Sequence, residues 1–130
     1  MYHIDLDNAL HCNFFNETHR ALLTRNDTEV ITFPIWYSAE GDVLEPLPKP
    51  GNIDTANFFH LNGIVSKASL TWGVAVDFGS KYTFPDAALI IPAVLFAEER
   101  HTYMKIPSVL GYHNRLKWTS IHGKDTCPSL

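Results

Sequence analysis

Apolar and polar residues alternate along several segments of the chain, and this pattern predicts strands. The longest alternating run is KASLTWGVAVDF, residues 67–78. Because the side chains of a strand point alternately to its two faces, this run predicts one apolar face and one flat, nearly uncharged face. A turn signal at 79–81 and a short strand at 82–84 complete a predicted hairpin.

A second alternating segment, TEVITFPIWY, covers residues 28–37. Pro34 has no N–H to donate to a sheet, so we expect this strand to lie at an edge or to be bulged there. A turn at 38–42 leads to a short strand at 43–44. The segment NRLKWTSI, residues 114–121, predicts a last strand.

The N-terminal region shows helical spacing instead. Apolar positions three and four residues apart predict a helix from Asp7 to Arg25 with one face toward the core. Asp7 is placed to cap the first turn, and Arg25 favours the C-terminal end of the helix dipole. The residues predicted to face the core are Leu10, Phe14, Phe15, Thr18, Ala21 and Leu22.

The uncharged run from Ala87 to Ala97 has Pro92 at its centre. It is too short for a membrane span, which needs about 18 apolar residues. A helix with Pro92 in its interior would cost about 3 kcal/mol. The pattern therefore favours a buried strand interrupted at Pro92, with residues 101–106 pairing back onto it. The alternative is a helix that begins at Pro92 and runs to about Met104.

These elements fit a single domain, residues 1–130, since a chain of this length can bury most of its apolar surface. No internal repeat, linker or low-complexity tract divides the sequence. The prediction is an α+β fold in which one N-terminal helix packs on a mainly antiparallel β-sheet, or on a small β-sandwich or barrel.

The charge content limits the classes of partner. Charged residues make up 18% of the chain and the net charge is −4, so no basic patch is available to follow a phosphate backbone. We therefore expect no nucleic-acid partner. Low charge together with abundant aromatic residues is typical of the core of a protein interface.

The first ten residues, MYHIDLDNAL, lack the basic region and apolar core of a signal peptide. The sequence has two cysteines, Cys12 and Cys127. Without an export signal we expect free thiols in a reducing compartment. The alternative is a disulfide bond between the two cysteines. The predicted location is cytoplasmic or virion-associated, without secretion by a signal peptide and without a membrane.

A few polar side chains are candidates for chemistry. On a strand, His3, Asp5 and Asp7 would share one face, where an imidazole and two carboxylates could bind a divalent metal or transfer protons. A solvated strand face has the same composition. Glu99 and His113 could add a general base, but no nucleophile is paired with either. We therefore predict no catalytic residue, metal site or cofactor.

The preferred function is a non-enzymatic structural or binding protein that assembles with a protein partner or with further copies of itself. Accessory subunits of a virus or phage particle (neck, tail or capsid) and small inhibitors of a partner protein have this profile. The alternative is a small enzyme that uses a His/Asp/Glu site, with or without a metal ion. The predicted interface residues are Trp36, Trp72, Gly73, Ala75 and Leu95.

Overall fold

The computed structural model describes residues 8–38, 40–47, 57–60, 85–113 and 115. Within these residues the chain forms two helices, α1 (Phe14–Thr24) and α2 (Pro85–Glu99), and seven short strands. The strands are β1 (Ala9–Leu10), β2 (Val30–Thr32), β3 (Ile35–Trp36), β4 (Val43–Leu44), β5 (Phe58–His60), β6 (Tyr103–Lys105) and β7 (Gly111–Tyr112). The α+β prediction is confirmed. The strands predicted at 67–78, 82–84 and 114–121 lie outside the described residues, Arg115 excepted.

The strands form two sheets of mixed direction. One sheet has the order β1-β7-β3-β4, and the other has the order β5-β2-β6. The pairs β1–β7, β3–β4 and β2–β5 are antiparallel, whereas β3–β7 and β2–β6 are parallel. Parallel pairing needs a long crossover between the two strands, and α2 lies in both crossovers. Antiparallel pairs predominate, as predicted, but the parallel pairs were not foreseen.

Pro34 divides the predicted strand 28–37 between the two sheets. β2 ends at Thr32 and β3 begins at Ile35, and each lies inside its sheet. The prediction of one strand at an edge or with a bulge is therefore wrong, although the interruption does fall at Pro34. The backbone groups at the break are still paired: the Phe33 N–H donates to the Asn57 carbonyl at 3.1 Å, and the Pro34 carbonyl accepts from the Leu110 N–H at 3.0 Å. The break therefore leaves these groups satisfied.

Asn57 joins the two sheets at this break. Its side chain is fully buried, and its Nδ2 donates to the Phe33 carbonyl at 2.8 Å and to the Leu44 carbonyl at 3.4 Å. Phe33 directly follows β2, whereas Leu44 belongs to β4 of the other sheet. One buried amide thus bridges strands that no backbone ladder connects.

Two helices cover opposite faces of the three-stranded sheet. Val30 packs in a buried cluster with residues of α2, whereas its neighbour Ile31 packs in a second cluster with residues of α1. Consecutive strand residues point to opposite faces, so β2 lies between the helices. The predicted packing of the N-terminal helix on a sheet is confirmed, and α2 adds a layer on the other side.

The predicted first half of the N-terminal helix is wrong. Residues Ala9–Leu10 form β1 and pair with β7, and α1 begins only at Phe14, with Asn13 in the N-cap position. Leu10 still packs against the core, but from a strand. Leu10 is therefore directed toward the core as the helical spacing predicts, although it lies in a strand and not in a helix.

The strand predicted for residues 87–97 is also wrong, because α2 runs through Pro92 from Pro85 to Glu99. The alternative prediction, a helix from Pro92 to about Met104, is also wrong in its bounds, because the helix begins seven residues earlier, at Pro85, and ends at Glu99. Pro85 holds the first helical position, where a missing N–H is harmless. Burial explains why the helix tolerates Pro92: each large side chain that it buries contributes about 1.5–3 kcal/mol, and together these exceed the cost of the proline. The buried residues are Ile90, Ile91, Ala93, Val94, Phe96 and Ala97.

A left-handed residue, His101, ends α2. Its φ is 59°, its N–H donates to the Glu98 carbonyl at 3.1 Å, and the next N–H, of Thr102, donates to the Ala97 carbonyl at 2.8 Å. These two bonds define a Schellman motif, whose left-handed position is usually glycine. The chain then turns directly into β6. The predicted pairing of residues 101–106 with 87–97 is wrong, because β6 pairs parallel with β2.

Replacing His101 by glycine should stabilise the fold. A non-glycine residue in the left-handed region costs roughly 1–2 kcal/mol, and the greater freedom of glycine in the unfolded chain offsets part of the gain. We expect His101→Gly to raise the free energy of unfolding by about 0.5–1 kcal/mol in urea titrations. His101→Ala, which keeps the Cβ, is the control and should give no gain. A glycine variant less stable than the wild type would show that the imidazole stabilises this turn.

Candidate functional site

The outward face of α1 carries the most exposed large apolar side chains in the described part of the chain. Phe15 is 71% exposed and Leu23 is 73% exposed. They lie eight residues apart, which is about 12 Å along a helix. The inward face of the same helix is buried through Phe14, Thr18 and Ala21.

A groove of about 490 Å³ runs along this helix, lined by Phe14, Phe15, Asn16, Thr18, His19 and Leu22. His19 follows Phe15 by one turn, and Leu22 and Leu23 follow after two, so these residues share one side of the helix. Beside them, the Arg20 Nη1 lies 3.3 Å from the Glu17 Oε1. We call Phe15, His19 and Leu23 the α1 face; Leu22 lies at its inner edge, partly buried against the core. The α1 face is mainly apolar and is bordered by one exposed ion pair.

Sequence reasoning had assigned Phe15 to the core, and this assignment is wrong. Phe14 is buried and packs edge-to-face on Phe33, with ring centroids 5.5 Å apart. The side chains of adjacent helical residues point in directions about 100° apart, so Phe14 and Phe15 cannot both point into the core. The adjacent pairs Phe14–Phe15 and Leu22–Leu23 were the sequence signal that one member of each pair points outward.

Only two of the five predicted interface residues are described. Trp36 is 8% exposed, and its ring stacks on Tyr112 at 5.3 Å, with the His11 ring 5.7 Å away. Leu95 is half-buried against the α2 core cluster. The two therefore lie in different packing clusters. The other predicted interface residues, Trp72, Gly73 and Ala75, lie outside the described residues.

The residues of the enzyme hypothesis are scattered in the described part of the chain. Glu99 is exposed at the end of α2, and His113 stacks on Tyr37 with ring centroids 4.4 Å apart. His3, Asp5 and Asp7 lie outside the described residues. Within the ranges that are described, no three His, Cys, Asp or Glu side chains form a group suited to a metal ion. Neither of the two helices in the described part of the chain is long and apolar enough to span a bilayer.

The free-thiol prediction is wrong for Cys12, which is disulfide-bonded. Cys127, the other cysteine of the sequence, lies outside the described residues. Cys12 is exposed, and its Sγ lies 3.8 Å from the His11 Nδ1, which also accepts the Asn13 N–H at 3.1 Å. Disulfide pairing depends on distances in the fold, and sequence spacing does not supply these.

A second, polar cavity lies where both helices end. It has a volume of about 190 Å³ and is lined by Arg25, Glu98, His101 and Tyr103. Arg25 is the C-cap of α1, and its guanidinium donates through Nη2 to the His101 carbonyl and through Nη1 to the Tyr103 carbonyl. The end of α1 is thereby tied to the turn that follows α2.

Burial raises the pKa of the Tyr103 phenol above its ordinary value of 10.0. The hydrogen bond between the Tyr103 hydroxyl and the Thr32 Oγ1, at 2.5 Å, acts in the opposite direction, and the charge of Glu98 raises the pKa further. The net effect favours the neutral phenol in the folded state.

The raised pKa of Tyr103 predicts a loss of stability in alkali. Its contribution is fully present below the pKa of an unfolded tyrosine, about 10, because both states are then protonated. Above that pH the unfolded state releases the proton first, so the free energy of unfolding falls until the folded phenol also ionises. Tyr103→Phe should flatten this fall in urea titrations carried out from neutral to alkaline pH, and Tyr37→Phe is the matched control. An alkaline fall of unchanged steepness in Tyr103→Phe would contradict the assignment.

No protein-family model matches the chain, and comparisons with curated proteins and with solved structures give no significant match. The function is therefore inferred from the chemistry of the residues described above.

Proposed function

We propose that this protein is a non-enzymatic binding protein and that the α1 face is the surface that contacts its protein partner. The observation that carries the proposal is the exposure of Phe15 and Leu23, at 71% and 73%, on one side of a helix whose other side is buried. Single exposed apolar residues are common on protein surfaces. Two such residues beside an apolar groove are typical of an interaction site.

The chemistry of the α1 face indicates the kind of partner. Phe15, His19 and Leu23 lie four residues apart in succession, so they form one stripe of the kind by which helices pack on apolar grooves or on other helices. Burying Phe15 and Leu23 would each contribute about 1.5–3 kcal/mol before the costs of association are subtracted. The partner surface is therefore expected to be apolar at its centre.

Charged residues border the α1 face and would form a polar rim around that apolar centre. Arg20 and Glu17 form an exposed ion pair beside the groove, with 3.3 Å between Nη1 and Oε1. Exposed pairs contribute little to affinity, about 0–1 kcal/mol, but they select against partners with unmatched charge. An apolar centre with a polar rim is the usual arrangement of a specific protein interface.

The low charge content and the aromatic-rich composition support an assembly role for such a surface. An accessory subunit of a virus or phage particle and a small inhibitor both remain within the proposal. So do two kinds of partner: a different protein, and a second copy of this chain. Only the second kind of partner predicts that the purified protein associates with itself.

The test compares two double variants of the protein. Phe15→Ser with Leu23→Ser changes the α1 face, and Val43→Ser with Leu47→Ser changes exposed apolar residues elsewhere. Surface changes of this kind usually alter stability by less than about 0.5 kcal/mol each. We expect the first pair to abolish capture of the partner from the source cell, or self-association in light scattering, and the second pair to retain it. Equal binding by both double variants would overturn the proposal.

A further inference from the structure

The polar cavity at the ends of the two helices differs from the α1 face in chemistry and in position. The described residues that line it, Arg25, Glu98, His101 and Tyr103, all carry polar side chains. Its volume, about 190 Å³, corresponds to about six water molecules in the liquid. A cavity of this size and lining suits a small polar ligand and does not suit an apolar one.

Arg25 supplies a positive charge that the protein holds in place. Its guanidinium donates to two backbone carbonyls, of His101 and Tyr103, which are neutral acceptors. The nearest carboxylate oxygen, on exposed Asp27, is 3.9 Å from Nε. A guanidinium has five N–H donors, so donors remain for a carboxylate ligand. The imidazole of His101 lines the same cavity.

Glu98 supplies a negative charge in an unfavourable position. It lies in the last turn of α2, where the helix dipole disfavours a carboxylate. Among the described residues no ion pair joins it, since nearby Arg100 is bonded through Nε to Glu29 Oε1 at 2.8 Å. A bound ammonium group would therefore be stabilised by Glu98 and by the C-terminal end of α2.

We propose that this cavity binds a small zwitterion of the α-amino-acid class. Arg25 and His101 contact its carboxylate, and Glu98 contacts its ammonium group. A simple anion would meet the charge of Glu98, and a simple cation would meet the charge of Arg25, whereas a zwitterion satisfies both. The site is independent of the α1 face, so either proposal can fail without the other.

The test is a titration of isotope-labelled full-length protein followed by two-dimensional NMR. The probes are L-alanine, propionate, which lacks the ammonium group, and ethylamine, which lacks the carboxylate. We expect saturable shifts of the amides of residues 98–103 with L-alanine and at least about tenfold weaker binding of the other two probes. Absence of saturable shifts with L-alanine would overturn the proposal. Propionate binding as tight as that of L-alanine would also overturn it, because the site would then be an anion site.

Two variants assign the roles of the residues. Glu98→Gln should weaken L-alanine binding about tenfold without weakening propionate binding, while Glu99→Gln, at a neighbouring carboxylate outside the cavity lining, should change neither. His101→Asn keeps a residue that tolerates the left-handed backbone and removes the imidazole, so it should weaken both carboxylate ligands. Arg25 is left unchanged because its guanidinium also ties the helix ends together. Equal effects of Glu98→Gln and Glu99→Gln would contradict a direct contact.

Discussion

Replacement of Phe33 by alanine is expected to lower the free energy of unfolding by about 3–5 kcal/mol. Phe33 is fully buried at the junction of the two sheets, and its ring packs edge-to-face on Phe14 of α1. Alanine would leave a cavity and remove the aromatic contact that holds the helix on the sheet. Since domains are typically stable by about 5–15 kcal/mol, this one change would approach the whole stability of the fold.

Urea unfolding followed by far-ultraviolet circular dichroism measures the effect of Phe33→Ala. Phe15→Ala is a matched control, since it deletes the same atoms from a ring that is 71% exposed. It should change the free energy of unfolding by less than about 0.5 kcal/mol. Equal destabilisation by the two substitutions would contradict the inward direction of Phe33 and the outward direction of Phe15.

Asn57→Ala should be the second most damaging change, lowering the free energy of unfolding by about 2–3 kcal/mol. The substitution removes the donor that serves the buried Phe33 carbonyl and the Leu44 carbonyl. A buried acceptor that loses its partner carries its full desolvation cost, and the link between the two sheets is lost with it.

Urea titration also tests Asn57→Ala, with Asn26→Ala as the control at an exposed asparagine. The control is expected to stay within about 0.5 kcal/mol of the wild type. If the Asn57 variant were as stable as the Asn26 variant, the amide bridge between the sheets would have no structural role.

The parts of the fold that sequence patterns foretold depend on local chemistry. Pro34 lacks an N–H, and this alone predicted where the regular pairing of the segment 28–37 would be interrupted, although not that the segment would divide into two strands. The spacing of Phe14, Thr18 and Ala21 likewise predicted the inward face of α1. In both cases the decisive property belongs to the residue itself or to its neighbours within two helical turns.

The sequence-based predictions are wrong where contacts with residues distant in the chain determine the local structure. The run around Pro92 is apolar on every side, so it has no periodicity to separate a strand from a helix, and burial of the helix outweighed the proline. Asn57 gives no local sign that it bridges two sheets. The convergence of Arg25 and His101 depends on positions far apart in the chain.

The sequence predicted the candidate binding surface only in part. A binding role followed from composition, but it was assigned to strand residues such as Trp36, which is buried in its sheet. The α1 face was missed because Phe15 was counted with the core residues of the helix. A stricter use of helical geometry, which separates adjacent residues by about 100°, would have placed Phe15 outside.

Direct contact between the α1 face and a partner is the central claim, and site-specific photocrosslinking measures it. Phe15 is replaced by p-benzoylphenylalanine in the full chain, expressed in the source cell and irradiated, with the same replacement at Leu47 as the control. The proposed function predicts one discrete adduct from position 15 and none from position 47. An adduct of the same mass from position 47, with none from position 15, would show that the partner binds elsewhere.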